Sequence, residues 1–524
     1  MDTSSVRRTG GSRLKPLASG LALALALGTG PLAASPAAIV DRLPIGELLP
    51  NGRPSGPPPG RMEWTAATAM RYPALHPVSL PIPDVPAGSL PVTNCDDSGP
   101  GSLRDAIGAA TSGQTIDLTA TGCSTISLTT GDISIGQQDL TLQGPGANYL
   151  TIDGSDLYSL RHHNDFGGTL TVNDLAIAHG RRYLDATLNL HARGGCLYSY
   201  GTISLANTLL EYCTAETANL HYYAEGGAVF AKAGLTAINS SIILSTAASS
   251  PAHGYGGGAF TLGPATIAYS SIGLNYASSA GGGIVATAGL FMNYSSLILN
   301  SSSSAGGLYA GGNTTIQNST IASNSASTFG GGLIEGSGAT LPLTLINSTV
   351  SGNSATQLVG GIAFARYPAR IENSTIAFNT EANPADARYG AGLFVGVDVE
   401  FESSIIAMNT LSHSVYGPVG DDIGGSGNLT GANNLTQFVL AGLALPADTI
   451  YADARLSPLA YNGGITQTHA LSPLSPAVDA GNNAAGLATD QRGVGFARVI
   501  GANADIGAFE LNLDDVIFAD DFED

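Results

Sequence analysis

Charge is scarce in this 524-residue chain: Asp, Glu, Lys and Arg together make up 11% of it, and aromatic residues 6%, with one tryptophan, Trp64. Between Gly226 and Ala365 the only charged side chains are Lys232 and Glu335. An extended site of paired carboxylates cannot be built along that stretch. Basic residues are scarcest, 20 against 40 acids for a net charge of −20, which argues against nucleic acid or an anionic membrane surface as partner. Outside the N-terminal leader no apolar run is long enough for a transmembrane helix. The four cysteines lack any CxxC pattern and the nine histidines lack ligand spacing, so a zinc site is not expected. Nor is there a helix-length amphipathic run in the centre of the chain.

Abundant glycine, 69 residues, marks what is present instead. Eight near-copies of one motif start at Gly194, Gly226, Gly257, Gly282, Gly306, Gly331, Gly360 and Ala391, spaced 32, 31, 25, 24, 25, 29 and 31 residues apart. Each opens on a small-residue pair before an aliphatic or aromatic strand. In six copies the second half places a serine five residues before an asparagine: Ser270 and Asn275, Ser295 and Asn300, Ser319 and Asn324, Ser348 and Asn353, Ser374 and Asn379, Ser404 and Asn409. A further asparagine often precedes the hydroxyl, as at Asn207, Asn239, Asn318, Asn347 and Asn373, and an aliphatic follows it by two: Leu210, Ile242, Ile272, Leu297, Ile321, Val350, Ile376, Ile406.

A period near 25 suits one coil of a parallel β-helix. Parallel strands stack about 4.8 Å apart, so equivalent aliphatics form inward columns and equivalent Asn and Ser side chains form ladders. Longer spacings are one coil plus a surface loop. A β-sandwich is the alternative, but sandwich strands do not repeat a sequence in fixed register. The expected fold is therefore all-β: a right-handed, single-stranded parallel β-helix with caps at both ends, the hand following the general preference of parallel crossovers.

Residues 1–38 read as a secretory signal, with Arg7, Arg8, Arg13 and Lys15 before the apolar run Leu17–Leu27. Residues 39–92 hold 12 of the 27 prolines and read as a linker or loosely ordered segment. Residues 93–193 read as an N-terminal cap with the first coils, Ser102 capping a short helix and Asp105 at its capping-box position. The repeats fill 194–410, a C-terminal cap 411–510, and an acidic tail 511–524. An exported chain with four cysteines is expected to hold two disulfides. Nearest-neighbour pairing gives Cys95–Cys123 and Cys196–Cys213, one of three connectivities. Cys213 stands at the turn position that asparagine holds in six later copies.

The segment Asn94-Cys95-Asp96-Asp97 through Gly101-Ser102-Leu103-Arg104-Asp105-Ala106-Ile107 resembles the CSLREA N-terminal domain of exported β-helix proteins. It departs from that pattern at Gly101, where the motif cysteine usually lies, and at Asp105, which replaces Glu. Asn462–Leu471, Ser475–Gly481, Asp490-Gln491-Arg492-Gly493 and Asp505–Glu510 resemble the choice-of-anchor Q domain, four ordered motifs over about 50 residues. The repeats between are similar to those of polymorphic outer-membrane proteins, and Ile517–Glu523 is similar to a terminal tag of some exported bacterial proteins, which usually carries Gly where Asp521 stands. The resemblance covers about 80% of the chain. It implies an exported or surface β-helix with no agreed activity and no catalytic residues; the protein is expected to be a monomer at the extracellular or outer-membrane surface of a Gram-negative bacterium, with an extracellular glycan or a host or cell-surface protein as its partner.

Candidate chemistry is sparse. Alignment of the last two repeats stacks Glu372 under Glu402 and Arg370 under Glu400, and two close carboxylates can share a proton or a cation. The plainer reading is a solvated strand face with a cross-rung ion pair. Asp421, Asp422 and Asp505 lie in Gly-rich loops where calcium is conceivable, although turn-stabilising aspartates are commoner. No other cofactor is expected. Three functions follow: a non-catalytic scaffold or adhesin, a polysaccharide lyase or glycoside hydrolase using Glu372, Glu400 and Glu402, and a carbohydrate-binding protein using Tyr198, Tyr200, Tyr222 and Tyr223.

Overall fold

The computed structural model describes residues 85–512, apart from 164–166, 250–252, 337–340, 383–388 and 441. The leader, Trp64, most of the proline-rich segment and the acidic tail from Asp514 lie outside the described residues.

Apolar residues alternate over short runs, and each run ends at Gly, Asn or Ser, so every strand is brief and the chain turns after it. One coil shows the pattern. Thr202–Ala206 lies in wall one, Leu209–Glu211 in wall two, Thr214–Thr217 in wall three and Val229–Ala231 in wall four. The next coil repeats each strand in parallel and in register, pairing Ile203 with Leu235, Leu210 with Ile242, Ala215 with Ala247 and Val229 with Ala259. Walls one, two and three contain 13 strands each and wall four contains 11, which makes an all-β parallel solenoid of about 11 coils. The antiparallel hairpin of Thr410–His413 with Gly417–Gly420 ends wall three.

The columns foreseen from the repeat are present. Leu210, Ile242, Ile272, Leu297, Ile321, Val350, Ile376 and Ile406 stack in register down wall two, all buried. Beside them Nδ2 of Asn275, Asn300, Asn324, Asn353 and Asn379 each donates to Oδ1 of the next asparagine, at 2.9–3.0 Å. The backbone N–H of each also donates to that same oxygen. The ladder therefore satisfies polar groups that wall two would otherwise bury unpaired. The asparagines before the serines adopt left-handed backbone, φ 48–51° at Asn207, Asn239, Asn318 and Asn347, a conformation this side chain tolerates. Those at 239 and 347 are buried, so Asn-x-Ser/Thr there serves the turn.

The glycine pairs do two jobs. Gly226 has φ 70°, which a side chain rarely adopts. Gly227 sits so close to the next coil that a Cβ would lie 2.0 Å from the carbonyl oxygen of Gly257. Both expected disulfides are formed, Cys95–Cys123 and Cys196–Cys213.

Helix α1, Leu103–Ala109, turns Leu103, Ala106 and Ile107 onto the open end of the first coils. Ser102 Oγ accepts from Asp105 N at 3.2 Å, and Asp105 Oδ2 accepts from Gly101 N at 3.1 Å, one residue before the N-cap N–H of a capping box; Ser102 N donates instead to Gly99 O at 3.1 Å. At the other end the strand columns run past Thr410 to Ile450–Tyr451. Asp422 takes the next asparagine position, its Oδ1 accepting from Asn409 N and Nδ2 at 2.9 Å.

Residues 452–511 then run back across the outer face of wall two. Ala454, Leu471, Ala477, Ile506 and Phe509 pack on Ile405, Ala407 and Leu435. Farther along, Thr320 Oγ1 donates to Gln467 O, Thr349 Oγ1 donates to Gln491 Oε1, and Ala508 N donates to Thr375 Oγ1. Arg492 is fixed by Asp490 between the rings of Phe496 and Phe509, and Arg498 by Glu510. The four motifs that resemble the choice-of-anchor Q domain all lie in this return segment.

Candidate functional site

Alternation along wall four sends Leu197 and Val229 into the core and turns Tyr198 and Phe230 outward. Register then stacks Arg161, Tyr198, Phe230, Phe260, Val285 and Tyr309 in one outer column. Tyr198 and Phe230 stack at 5.5 Å between centroids, and Phe230 and Phe260 at 5.8 Å, within 18° of parallel. Such contacts add to the area they bury. Tyr200 and Tyr255 flank the column, and they and Tyr309 remain half-buried.

The four tyrosines singled out from sequence join this surface. Tyr198 meets Tyr200 edge-on at 5.4 Å. Tyr222 and Tyr223 both pack on His191, at 5.2 and 5.0 Å, and Tyr223 meets Tyr255 at 5.7 Å. Tyr255 in turn packs on the Phe230–Phe260 stack. Only Tyr198 is buried, 5% exposed, which raises its phenol above the usual value together with the hydrogen bond to Tyr200. Tyr200, Tyr222 and Tyr223 keep accessible rings.

Cations border the rings, a feature that repeat spacing does not reveal. The Arg161 guanidinium lies 4.3 Å from the Tyr198 centroid, Arg193 4.6 Å from Phe230, and Lys232 Nζ 4.9 Å from Tyr200, all within cation–π range. Arg193 Nε donates to Glu225 at 2.6 Å. Burial pushes Arg161 down to about 10, with the neighbouring Arg182 adding to the fall and Asp132 opposing it. His163, 5.5 Å from Tyr198, is lowered by burial and then by Arg161. Arg161 and Tyr198 are 37 residues apart in sequence, so only the register extended upward from Phe230 reveals them as neighbours.

The acidic candidates are engaged elsewhere. Arg370 pairs in register with Glu400, and Glu372 with Glu402, as the alignment indicated. Glu372 is nevertheless buried rather than solvated. Burial raises its carboxyl, opposed by Arg370, whose guanidinium it contacts. Arg370 also reaches Glu400 at 3.4 Å. Glu402 accepts from Ala432 N at 2.8 Å and from Asn482 Nδ2 of the return segment. Glu335 accepts from the backbone of Arg366 and Tyr367.

Among the calcium candidates, Asp421 accepts from Gly390 N and Ala391 N. Asp422 accepts four N–H groups, from Asn409 twice, Gln437 and Phe438, and burial raises it to about 6. Asp505 accepts from Asp479 N and Leu511 N. Asp421 and Asp422 directly precede the last wall-four strand, Ile423–Gly425, whereas Asp505 serves the return segment. Among the described residues no three His, Cys, Asp or Glu side chains converge as a metal-holding group, and no helix is long and apolar enough to cross a membrane.

No family model and no curated protein matches the chain. Among solved structures, a crystal structure of pectate lyase Pel9A is similar, with a TM-score of 0.41 and 15% identity over 82% of this chain and 98% of that one.

Proposed function

We propose that this chain is an exported, non-catalytic β-helix that contacts glycans through the outer face of wall four and the adjoining edge of wall three. The observation that carries this reading is the ring surface there: half-buried Tyr200, Tyr222, Tyr223, Tyr255 and Tyr309 around a stacked aromatic column, edged by Lys232 and arginines. Aromatic faces and cations suit the C–H faces and polar groups of sugars. Export is supported by two disulfides, which persist in oxidising compartments, and by the leader-like first 38 residues.

The lyase or hydrolase alternative draws on Glu372, Glu400 and Glu402. It is weakened by their engagement: Glu372 is buried against Arg370, and Glu402 holds Ala432 and Asn482. A glycan-array screen paired with reducing-sugar and unsaturated-product assays tests both readings. Binding without turnover that weakens in Tyr200→Ala supports the proposal. Turnover abolished by Glu372→Gln with Glu402→Gln transfers the function to the acidic cluster, and no binding at all refutes the glycan reading.

A further inference from the structure

We infer that Arg161 and Arg182 beside Asp132, together with Lys232 at Tyr200, bind the carboxylate groups of an acidic polysaccharide. This rests on the glycan reading above and specifies its ligand class.

The first support is a local charge imbalance. Arg161 Nε and Arg182 Nη1 approach the same atom, Asp132 Oδ2, at 3.9 and 3.8 Å. Those distances are too long for hydrogen bonds. One carboxylate thus faces two guanidiniums, and Lys232 adds a third cation nearby through Tyr200. Elsewhere arginines sit within hydrogen-bonding distance of a carboxylate: Arg104 on Asp97 at 2.8 Å, Arg181 on Glu216 at 2.8 Å, Arg193 on Glu225 at 2.6 Å. An excess of positive charge in a chain of net charge −20 is a specific local arrangement.

The second support is an unmet donor. Arg182 Nε is buried and has no hydrogen-bond partner among the described residues. Burying a charged donor unpaired costs free energy; Arg370 Nε and Arg498 Nε share this state, but each of those arginines has a carboxylate within 3.4 Å, whereas Arg182 has none closer than 3.8 Å. Arg161 beside it is 8% exposed and spends Nη1 on Ser159 Oγ and the Arg193 carbonyl, at 3.4 and 3.3 Å. The Arg182 side chain as a whole is 30% exposed, so a carboxylate can approach it from outside and restore the balance of charge around Asp132.

The third support is spacing. Arg161 pairs with Tyr198 and Tyr198 with Phe230, and Lys232 directly follows the strand of Phe230. Arg161 and Lys232 therefore lie two rungs apart, about 9.6 Å along the axis at about 4.8 Å per rung. One small anion cannot satisfy both ends. A polymer with charges repeated along its length can, and the half-buried Tyr200 ring between them offers a sugar an apolar face.

Immobilised alginate and hyaluronate, both carboxylated, are compared with dextran sulfate and neutral dextran for binding to the full chain. Arg182→Ala, Lys232→Ala and their double variant are tested beside Arg181→Ala, a control whose guanidinium is already paired with Glu216. Circular dichroism checks that each variant folds. The expected result is salt-sensitive binding of a carboxylated polymer, about tenfold weaker in each single variant and lost in the double, as for loss of a charge-assisted contact, with Arg181→Ala unchanged. Equal binding by wild type and the double variant overturns the inference, as does retention of dextran sulfate alone. Binding of neutral glycans only also overturns it while leaving the glycan reading standing; binding of no glycan at all overturns both.

Discussion

Replacing Asn353 by Ala should break the solenoid at a chosen rung. The side chain is fully buried. Its Nδ2 donates to Asn379 Oδ1 and to Ile321 O, each at 2.9 Å, and its Oδ1 accepts from the backbone N and from Nδ2 of Asn324, each at 2.9 Å. Four hydrogen bonds at about 1 kcal/mol net each, together with about 1–3 kcal/mol for a buried Asn324 N–H left unpaired, give a loss of about 5–7 kcal/mol. In a stack held by nearest-neighbour contacts this loss is felt mainly by the adjoining coils. Denaturant unfolding followed by amide exchange should show early opening at Asn324 and Asn353 while the coils near Leu210 stay protected. Asn353→Asp should be at least as damaging, because a carboxylate cannot donate to Asn379 or Ile321. A loss below about 1 kcal/mol in the alanine variant, or uniform loss of protection along the chain, would refute the idea that the ladder holds the rungs together.

Serine in place of both Cys196 and Cys213 should cost about 3 kcal/mol, from the 17-residue closure, read by denaturation, and mass spectrometry of the non-reduced protein should find neither thiol free. His469 is buried with Nδ1 donating to Ser457 O and Nε2 accepting from Ser351 Oγ, and burial lowers it to about 4 from 6.5. A depressed folded value means that its contribution is present above pH 6.5 and lost as pH falls through 4, by up to about 3 kcal/mol. Acid should therefore loosen residues 452–511 in proteolysis, and His469→Gln should flatten that dependence. Glu372→Gln should be neutral or stabilising by about 0.5 kcal/mol at pH 7, since burial disfavours its charge and Arg370 keeps Glu400, whereas Glu402→Gln should cost about 1 kcal/mol through Ala432 and Asn482; thermal melts of the two variants distinguish these outcomes.

The solenoid was legible because its columns are written as repeats. Leu210 through Ile406 and Asn275 through Asn409 recur at one position per coil, so register follows from spacing alone. Asp422 was not legible as part of the ladder. It lies 13 residues after Asn409, half a coil, because the chain doubles back through the Thr410–Gly420 hairpin, and sequence spacing then no longer measures rungs. Its identity is explained by the direction of the ladder. Each asparagine donates toward the next coil, so the last member needs only to accept, and a carboxylate does that four times over. The return segment was hidden for a different reason: Gln491 reaches Thr320 and Thr349 across 171 and 142 residues, and nothing periodic connects them. The grouping of Arg161, Arg182 and Lys232 was hidden likewise, since each falls on a different wall or turn.

The return segment also decides where a ligand can sit. It covers the outer face of wall two from Thr320 to Ile405 with polar and apolar contacts made by residues of its own. The acidic stack lies against it: Asn482 holds Glu402, and Asn373, next to Glu372, donates to the Asn482 carbonyl. Carboxylates fixed in this way brace one part of the chain against another. Wall four has no such strap among the described residues at Tyr200 and Lys232, where rings and cations remain accessible. Fixed rung spacing then turns a one-residue difference in register into a defined displacement along the axis. Moving a cation by one coil would change its axial offset from Arg161 by about 4.8 Å. Specificity on such a face is therefore set by which coil carries which side chain, and the departures from the repeat at Arg161 and Lys232 are the positions where this chain differs from a featureless stack.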